Sequence, residues 1–281
     1  MKSPIQAKIR EKDLKAYNLA KKFLLRLKIS GVTESLIQKY LNASASKARF
    51  KKIEDIYGNL LFSAQNANMK AGVIGRSMEG GIDNLGKVLF NFNPELVLKK
   101  YQNDWNYLLD DIKKKVKPNG KIRRSSRSIW PQYCRTILSA ADFITQFATA
   151  DEFYKWVDSF DSDYRKRPAL PMILSYEIEG FGFALGCDFL KDLGYINFGK
   201  PDVHIRDIFE ALKLCSKNAD DYLLFKTIVR IAQNVGKSPY EVDKLFWLIG
   251  SGYFYDDPHI GNEGRTGRHK APFIRYAKKY L

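Results

Sequence analysis

Apolar residues recur along the chain mostly at the three- and four-residue spacing of an α-helix, and the strict alternation of a β-strand is rare. This pattern predicts an all-α protein. A capping box, Ser238-Pro239-Tyr240-Glu241, indicates where one of the later helices begins. The predicted helices lie near 4–28, 33–41, 51–66, 94–115, 131–147, 151–159, 170–178, 183–193, 203–214, 219–234 and 239–250.

The composition is that of a folded protein with a large positive charge. The 281 residues are 45% hydrophobic and 14% aromatic, which is enough for a sizeable core. Lys and Arg number 47 against 31 Asp and Glu, a formal net charge of +16. A positive field of this size favours polyanions, with nucleic acid expected before an anionic membrane, although a basic surface also serves solubility alone.

Several kinds of site and location are disfavoured by what the sequence lacks. No apolar run is long enough to span a membrane, and the first residues lack the apolar stretch of a signal peptide, so a cytoplasmic location is expected. Cys134, Cys187 and Cys215 are scattered and cannot form a four-cysteine metal or iron–sulfur site. His259 and His269 lack the spacing of a zinc site. We therefore expect neither a metal ion nor another cofactor.

Two basic segments are predicted to lie outside the helical core. Residues 113–127 hold eight Lys or Arg and no acid around a Pro118-Asn119-Gly120 turn. This segment is either a phosphate-contacting loop or a solvated one, and the sequence favours neither. The tail after residue 251 is rich in Gly, Tyr and Arg and either closes over DNA or only covers the surface.

The stretch IEGFGFALG at 178–186 predicts two short helices joined by a glycine turn, a helix–hairpin–helix. Gly180 and Gly182 allow a sharp turn without a Cβ clash. They also leave backbone N–H groups uncovered at the positive end of the second helix, which makes an anion site. On a basic protein the expected anion is a DNA phosphate, although many helix pairs turn on glycine alone.

Asp202 follows Pro201 and opens the apolar-periodic helix that begins at Val203. One interpretation is a helix N-cap, a common role that explains the residue by itself. The other is a catalytic carboxylate held at a helix N-terminus beside a DNA-binding hairpin. Chemistry alone does not decide between the two.

Taken together, these residues resemble the helix–hairpin–helix DNA glycosylases, the superfamily of endonuclease III and the adenine, alkyl-base and 8-oxoguanine glycosylases. The family pattern is Leu-Pro-Gly-x-Gly, a helix, and then an aspartate followed two residues later by histidine or another polar group. This chain has IEGFG at 178–182 and DVHI at 202–205, with the family interval between them. LLFSAQN at 60–66 is similar to the family's Leu-Leu-Ser-Ala-Gln helix end.

The resemblance implies a fold and a set of roles. It implies two helical subdomains, 1–50 with 195–281 and 51–194 carrying the hairpin at 170–193, and a cleft between them for DNA and an extruded base. It implies that Asp202 is catalytic and that Gln65 fills the gap left by that base. The implied DNA contacts are Gly180, Phe181, Gly182, Phe183, Ala184, Gln65, Asn66 and His204.

Further expectations concern ligands and partners. The carbonyl groups of Gly180 and Gly182 are candidates to bind a monovalent cation, as in relatives. The partner is double-stranded DNA, no membrane is involved, and a monomer is expected. His204 either contacts the sugar phosphate or bonds nearby backbone. Aromatic candidates for stacking on the base are Trp105, Trp130, Tyr133 and Trp247, although aromatics at helical spacing are more often core residues.

The chain departs from the family pattern at two positions. Glu179 stands where proline is usual, which alters the start of the hairpin. Ala184 stands where bifunctional relatives carry the lysine that forms a Schiff base with the sugar. The resemblance therefore implies a monofunctional glycosylase that leaves an abasic site. Its role is either repair of damaged bases or defence against modified phage bases. The alternatives are a non-catalytic DNA-binding module and a lyase that uses Lys191 or Lys200.

Overall fold

The computed structural model describes residues 4–27, 29, 31–42, 47–66, 72–254, 257 and 259–281. Within these residues the regular secondary structure is helical, and the only extended pairing is an isolated antiparallel bridge between Tyr253 and Arg265. The predicted all-α class is confirmed. No helix in the described ranges is both long enough and apolar enough to cross a membrane.

Fourteen α-helices carry the described part of the chain. They are α1 (Pro4–Arg26), α2 (Glu34–Asn42), α3 (Ile53–Ala64), α4 (Val73–Arg76), α5 (Pro94–Tyr101), α6 (Trp105–Asp111), α7 (Ile129–Ile144), α8 (Ala150–Asp161), α9 (Ala169–Glu177), α10 (Phe183–Asp192), α11 (Val203–Ala211), α12 (Asp221–Val235), α13 (Pro239–Ser251) and α14 (Lys270–Lys278). Shorter helical segments are two 3₁₀ turns, Gly81–Lys87 and Asn262–Gly264, and a π-helical turn, Ile112–Val116.

The single helix predicted over 94–115 is wrong, because the chain breaks it between α5 and α6. Gln102 and Asn103 both adopt a left-handed backbone, with φ of 47° and 63°. Asp104 then restarts the helix as its N-cap and accepts hydrogen bonds from Asn106 N–H at 2.8 Å and Tyr107 N–H at 3.1 Å. The basic segment begins within the π-helical turn that follows α6, so its first residues are helical.

The tail also departs from the prediction, because it contains a helix. Phe273 and Ala277 of α14 are fully buried in a hydrophobic core, and Phe273 packs against Phe23 with ring centroids 5.2 Å apart. Because Lys, Arg and Tyr surround these two apolar positions, the sequence pattern does not indicate a helix here. The end of the chain is therefore anchored by packing.

The chain forms two compact units, which we call the central unit (48–189) and the terminal unit (1–47 with 190–281). The boundary between them falls within α10, whose last three residues belong to the terminal unit. The two subdomains that the resemblance implies, divided at 50/51 and 194/195, stay a prediction.

The core of the terminal unit is built around α13, most of whose residues are buried. Phe246 packs edge-on against Phe209, with centroids 5.0 Å apart. Ser238 caps this helix by accepting from Glu241 N–H at 3.1 Å, as the capping box predicts. The Glu241 carboxylate accepts a hydrogen bond from the hydroxyl of Tyr17 at 2.6 Å, and this bond connects α1 to α13.

The central unit is organised along α7, which packs against α3, α5 and α6. Two buried tyrosines join α3 to α7: Tyr57 Oη donates to the carbonyl of Ile137, and Tyr133 Oη donates to that of Leu61, both at 2.8 Å. These bonds fix the end of α3, where Gln65 follows. Helix α7 also carries the residues that hold the hairpin.

Candidate nucleic-acid interface and carboxylate site

The predicted hairpin is present between α9 and α10. Gly180 has a φ of 76°, a conformation that favours glycine, and Phe181 N–H donates to the carbonyl of Ile178 at 3.1 Å to close the turn. The Phe181 side chain is 1% exposed, so a DNA contact from this residue would be made by its backbone.

Three side chains of α7 hold the start of the hairpin at Glu179. Thr136 Oγ1 donates to the Glu179 carbonyl at 2.7 Å, and Glu179 N–H donates to Ser139 Oγ at 2.9 Å. Arg135 forms an ion pair with the Glu179 carboxylate. A proline at this position would lack the N–H that Ser139 accepts, which gives the departure from the family pattern a structural reason.

Gly182 is exposed, and the first two residues of α10 are partly exposed. A Cβ placed on Gly182 would have no heavy atom within 4 Å. Among the described residues, the N–H groups of Gly182 and Ala184 have no acceptor. Uncovered amides at the N-terminus of a ten-residue helix suit a phosphate oxygen.

The predicted monovalent cation is not tested by this geometry and stays a prediction. The Gly182 carbonyl already accepts from Leu185 N–H at 2.9 Å and from Gly186 N–H at 3.0 Å within α10. The remaining lone-pair directions of that oxygen are what a cation would use.

Gln65 and Asn66 are engaged with the backbone around α4. Gln65 is 4% exposed, and its Oε1 accepts from Gly75 N–H at 3.1 Å. Asn66 Oδ1 accepts from Gly72 N–H at 3.0 Å. These bonds fix the position of α4, so for Gln65 to fill a gap in DNA it would have to release Gly75. The gap-filling role stays a prediction.

Asp202 is the N-cap of α11, in the terminal unit. Its Oδ1 accepts from His204 N–H at 2.9 Å and from Ile205 N–H at 3.0 Å. In the part of the chain that the structure describes, Oδ2 has no donor. The residue is half-buried, so this oxygen combines a fixed position with the capacity to face a ligand.

The surroundings of Asp202 raise its pKa above the usual range of an aspartate. Burial is the larger cause, and the negative charge of Asp243 adds to it, while the helix N–H of Ile205 and the charge of Lys200 act in the opposite direction. Asp243 is 1% exposed and accepts from Lys191 Nζ at 2.6 Å and from Lys200 N–H at 2.8 Å. A raised carboxyl pKa in a partly open position is typical of functional carboxylates.

His204 lies in the first turn of α11, and burial lowers its pKa below the usual histidine range. Its Nδ1 is buried and has no hydrogen-bond partner among the described residues. Gly250 of α13 leaves the space for this side chain, because a Cβ on Gly250 would lie 2.6 Å from His204 Cβ. The structure therefore packs the ring of His204 closely and leaves one of its nitrogens unsatisfied.

The candidate residues divide between the two units. Gln65, Asn66 and the hairpin residues 180–184 belong to the central unit, and Asp202 and His204 belong to the terminal unit. In the terminal unit Asp243 was not predicted as a neighbour of Asp202, because the position of Asp243 within an apolar helix does not indicate which charges surround it. The Lys191 side chain is buried and paired with Asp243, which disfavours it as a free amine nucleophile.

The aromatic candidates have different environments. Tyr133 is a buried core residue bonded to the Leu61 carbonyl. Arg135 stacks over Trp105, and Lys244 stacks over Trp247 at 5.1 Å. Trp130 lines a solvent-open cavity in the central unit. In the described ranges no group of three or more His, Cys, Asp or Glu is placed to hold a metal ion.

Comparison with known proteins gives two solved structures from Methanocaldococcus jannaschii. One is an 8-oxoguanine glycosylase/lyase in complex with a 15mer DNA containing 8-oxoguanine, at 20% identity, with a TM-score of 0.49 and coverage of 81% of this chain and 95% of that chain. The other is an 8-oxoguanine DNA glycosylase, at 19% identity, with a TM-score of 0.41 and coverage of 88% and 94%. No protein-family model and no curated protein matches the chain.

The two neighbours share about a fifth of their residues with this chain. Their sequence identities and TM-scores are low, so the functional proposal stands on the residues of this chain.

Proposed function

We propose that this protein is a monofunctional DNA N-glycosylase, which extrudes a damaged or modified base from duplex DNA and hydrolyses its N-glycosidic bond. The observation that carries the proposal is the geometry of Asp202. One carboxylate oxygen is fixed by two helix N–H groups, and the other has no protein donor among the described residues. The motif interval to an open Gly-x-Gly hairpin and the basic composition support the same reading.

The chemistry requires one well-placed carboxylate. Breaking the bond between base and sugar builds positive charge on the deoxyribose, and an ionised Asp202 near C1′ would stabilise that charge and orient or deprotonate the attacking water. The target base must first leave the helical stack, at a cost of a few kcal/mol. Contacts of the Gly182 and Ala184 amides with phosphate would hold the duplex without reading its sequence.

The absence of lyase chemistry rests on two residues. Ala184 has no amine to form a Schiff base, and the Lys191 ammonium is held by Asp243. We therefore expect the product to be an intact strand with an abasic sugar. Either a repair role or defence against modified phage DNA would use the same step.

The test is base release from a panel of duplexes that contain 8-oxoguanine, alkylpurines or bulky modified cytosines, followed by alkaline cleavage of abasic sites. We expect strand nicks only after alkali, and no covalent adduct on borohydride trapping. The matched control is Asp202→Asn, which keeps the size and the cap but removes the charge. It should bind DNA normally and lose at least about 100-fold in rate.

Three outcomes would change the proposal. Wild-type rates in Asp202→Asn would remove the catalytic assignment. Binding to DNA without base release from any member of the panel would favour a non-catalytic hairpin module. A trapped adduct would show a lyase that uses another lysine.

A further inference from the structure

The central unit contains a solvent-open cavity of about 550 Å³ that the function proposed above does not use. This volume lies within the range of about 300–1,000 Å³ that small-ligand pockets have. Its walls are α4, the C-terminal part of the basic segment and the beginning of α7. The lining residues are Val73, Ile74, Ser77, Asn119, Gly120, Lys121, Arg123, Arg127, Ser128, Ile129 and Trp130.

The charged residues that line this cavity are all basic. Its lining includes Lys121, Arg123 and Arg127 and no acidic residue. These three cations form no ion pair within the described ranges, whereas Arg124 in the same segment pairs with Asp110. Unpaired cations around a concave surface concentrate positive potential and attract an anion.

The remaining walls are apolar and aromatic. Ile74 is 1% exposed and Trp130 is 8% exposed, while Ile129, at 40%, is an exposed apolar side chain at the first position of α7. Ser128 is the N-cap of this sixteen-residue helix and makes no side-chain capping bond. The cavity thus offers an anion site and an apolar surface side by side, which is the pairing of groups found in a nucleotide.

The fold holds this cavity in a fixed relation to the hairpin. Gln65 and Asn66 bond the backbone of α4, which forms one wall, and Asn119 N–H donates to the carbonyl of Ser77 at 2.6 Å, which closes the loop onto that wall. Trp130 and Thr136, the latter bonded to the hairpin, lie six positions apart on α7, a rise of about 9 Å. The same helix therefore holds both the cavity and the hairpin.

We propose that this cavity binds one unstacked nucleotide of the DNA, with its phosphate at Lys121, Arg123 and Arg127 and its base against Ile129 and Trp130. The residues that line the cavity belong to the central unit, whereas Asp202 belongs to the terminal unit. The inference rests on the DNA-binding part of the proposed function and not on catalysis. It gives Gln65 and Asn66 the role of positioning residues for one wall of the cavity.

The experiment uses full-length Asp202→Asn protein and two fluorescent duplexes, one fully paired and one with a single-nucleotide bulge, at one fixed salt concentration. We expect the bulged duplex to bind about tenfold more tightly. Arg123→Ala/Arg127→Ala should abolish this preference, and Arg124→Ala, which removes a cation that is already paired, should keep it. Equal melting temperatures of the variants establish that the exposed substitutions leave the fold intact.

A second arm separates a nucleotide site from a simple anion site. Deoxyadenosine monophosphate should compete with the bulged duplex for the protein at concentrations where inorganic phosphate does not. Equal competition by the two compounds, an equal loss of preference in the Arg124 variant, or no preference for the bulge would each overturn the proposal. Because the binding protein is catalytically impaired by design, these outcomes are independent of whether the wild-type chain releases a base.

Discussion

The Lys191 ammonium donates to the Asp243 carboxylate at 2.6 Å, with the two side chains 8% and 1% exposed. The same carboxylate accepts the Lys200 N–H, two residues before Asp202, and its charge contributes to the raised pKa of Asp202. This buried pair therefore connects the stability of the terminal unit with the protonation of the candidate catalytic group.

This connection predicts that the pH–rate profiles of two variants shift in opposite directions. Lys191→Met leaves the Asp243 charge uncompensated, which should raise the apparent pKa of Asp202 further and move the pH–rate profile upward. Lys191→Met/Asp243→Asn removes that charge while keeping an acceptor for Lys200 N–H, so the profile should move below that of the wild type. The measurement is single-turnover base release as a function of pH. Shifts in the same direction in both variants would contradict the coupling.

The same substitutions predict a stability pattern. Breaking a buried pair by removing one partner should lower the free energy of unfolding by about 3 kcal/mol in Lys191→Met, because a carboxylate is left buried without its cation. The double variant should recover part of this loss. Chemical denaturation of the three proteins compares them directly.

Asp202→Asn is expected to be as stable as the wild type or more stable at neutral pH, despite its loss of activity. A carboxyl group whose pKa is raised in the folded state binds its proton more tightly there than in the unfolded chain. Its contribution to stability is therefore present below the unfolded-state pKa and is lost as pH rises through the folded-state pKa. The difference between variant and wild type in thermal unfolding should shrink on acidification. A variant that is less stable at neutral pH would indicate that Asp202 is mainly a structural cap.

The two hairpin glycines should respond differently to alanine. Gly182 lacks a positive φ and has open space at its Cβ, so Gly182→Ala should fold normally but weaken DNA binding about tenfold by covering the free amides. Gly180→Ala places a Cβ on a residue with a φ of 76° and 3.1 Å from Thr136 Oγ1, so it should lose about 1–2 kcal/mol of stability. Thermal unfolding and DNA titration of both variants separate the two effects. Unchanged DNA affinity in Gly182→Ala would argue against phosphate binding at this turn.

Gly250→Ala tests the packing beneath the first turn of α11. The new Cβ would lie 2.6 Å from His204 Cβ, so the helix that carries Asp202 must shift, with a cost of about 1–3 kcal/mol and a reduced rate of base release. Gly58→Ala is the control, because its Cβ would meet only the Phe92 ring at an ordinary 3.5 Å. It should be neutral or stabilising by up to about 1 kcal/mol. Equal behaviour of the two variants would show that Gly250 is not required for this packing.

The helical class and the hairpin could be predicted because they depend on local chemistry. Helical periodicity, the Gly180 turn and the Asp202 cap are each encoded within a few neighbouring residues. The break between α5 and α6 was missed because Gln102 and Asn103, two polar residues without glycine or proline, adopt the left-handed conformation.

Other features depend on contacts between separate segments of the chain. The pairing of Lys191 with Asp243 joins residues 52 positions apart, and the bond of Gln65 to Gly75 turns a residue with an expected DNA role inward. The cavity at Trp130 likewise needs three segments to meet. No local pattern specifies such pairings, since they arise only when helices pack.

The buried and unsatisfied Nδ1 of His204 also offers a probe for nuclear magnetic resonance. The sequence contains three histidines, so a nitrogen-labelled sample would give few imidazole signals to assign. The His204 ring lies two residues from Asp202 on the same helical turn, and its backbone N–H is bonded to that carboxylate. Its resonances could report the ionisation of the aspartate in the intact protein, without substrate and without any substitution.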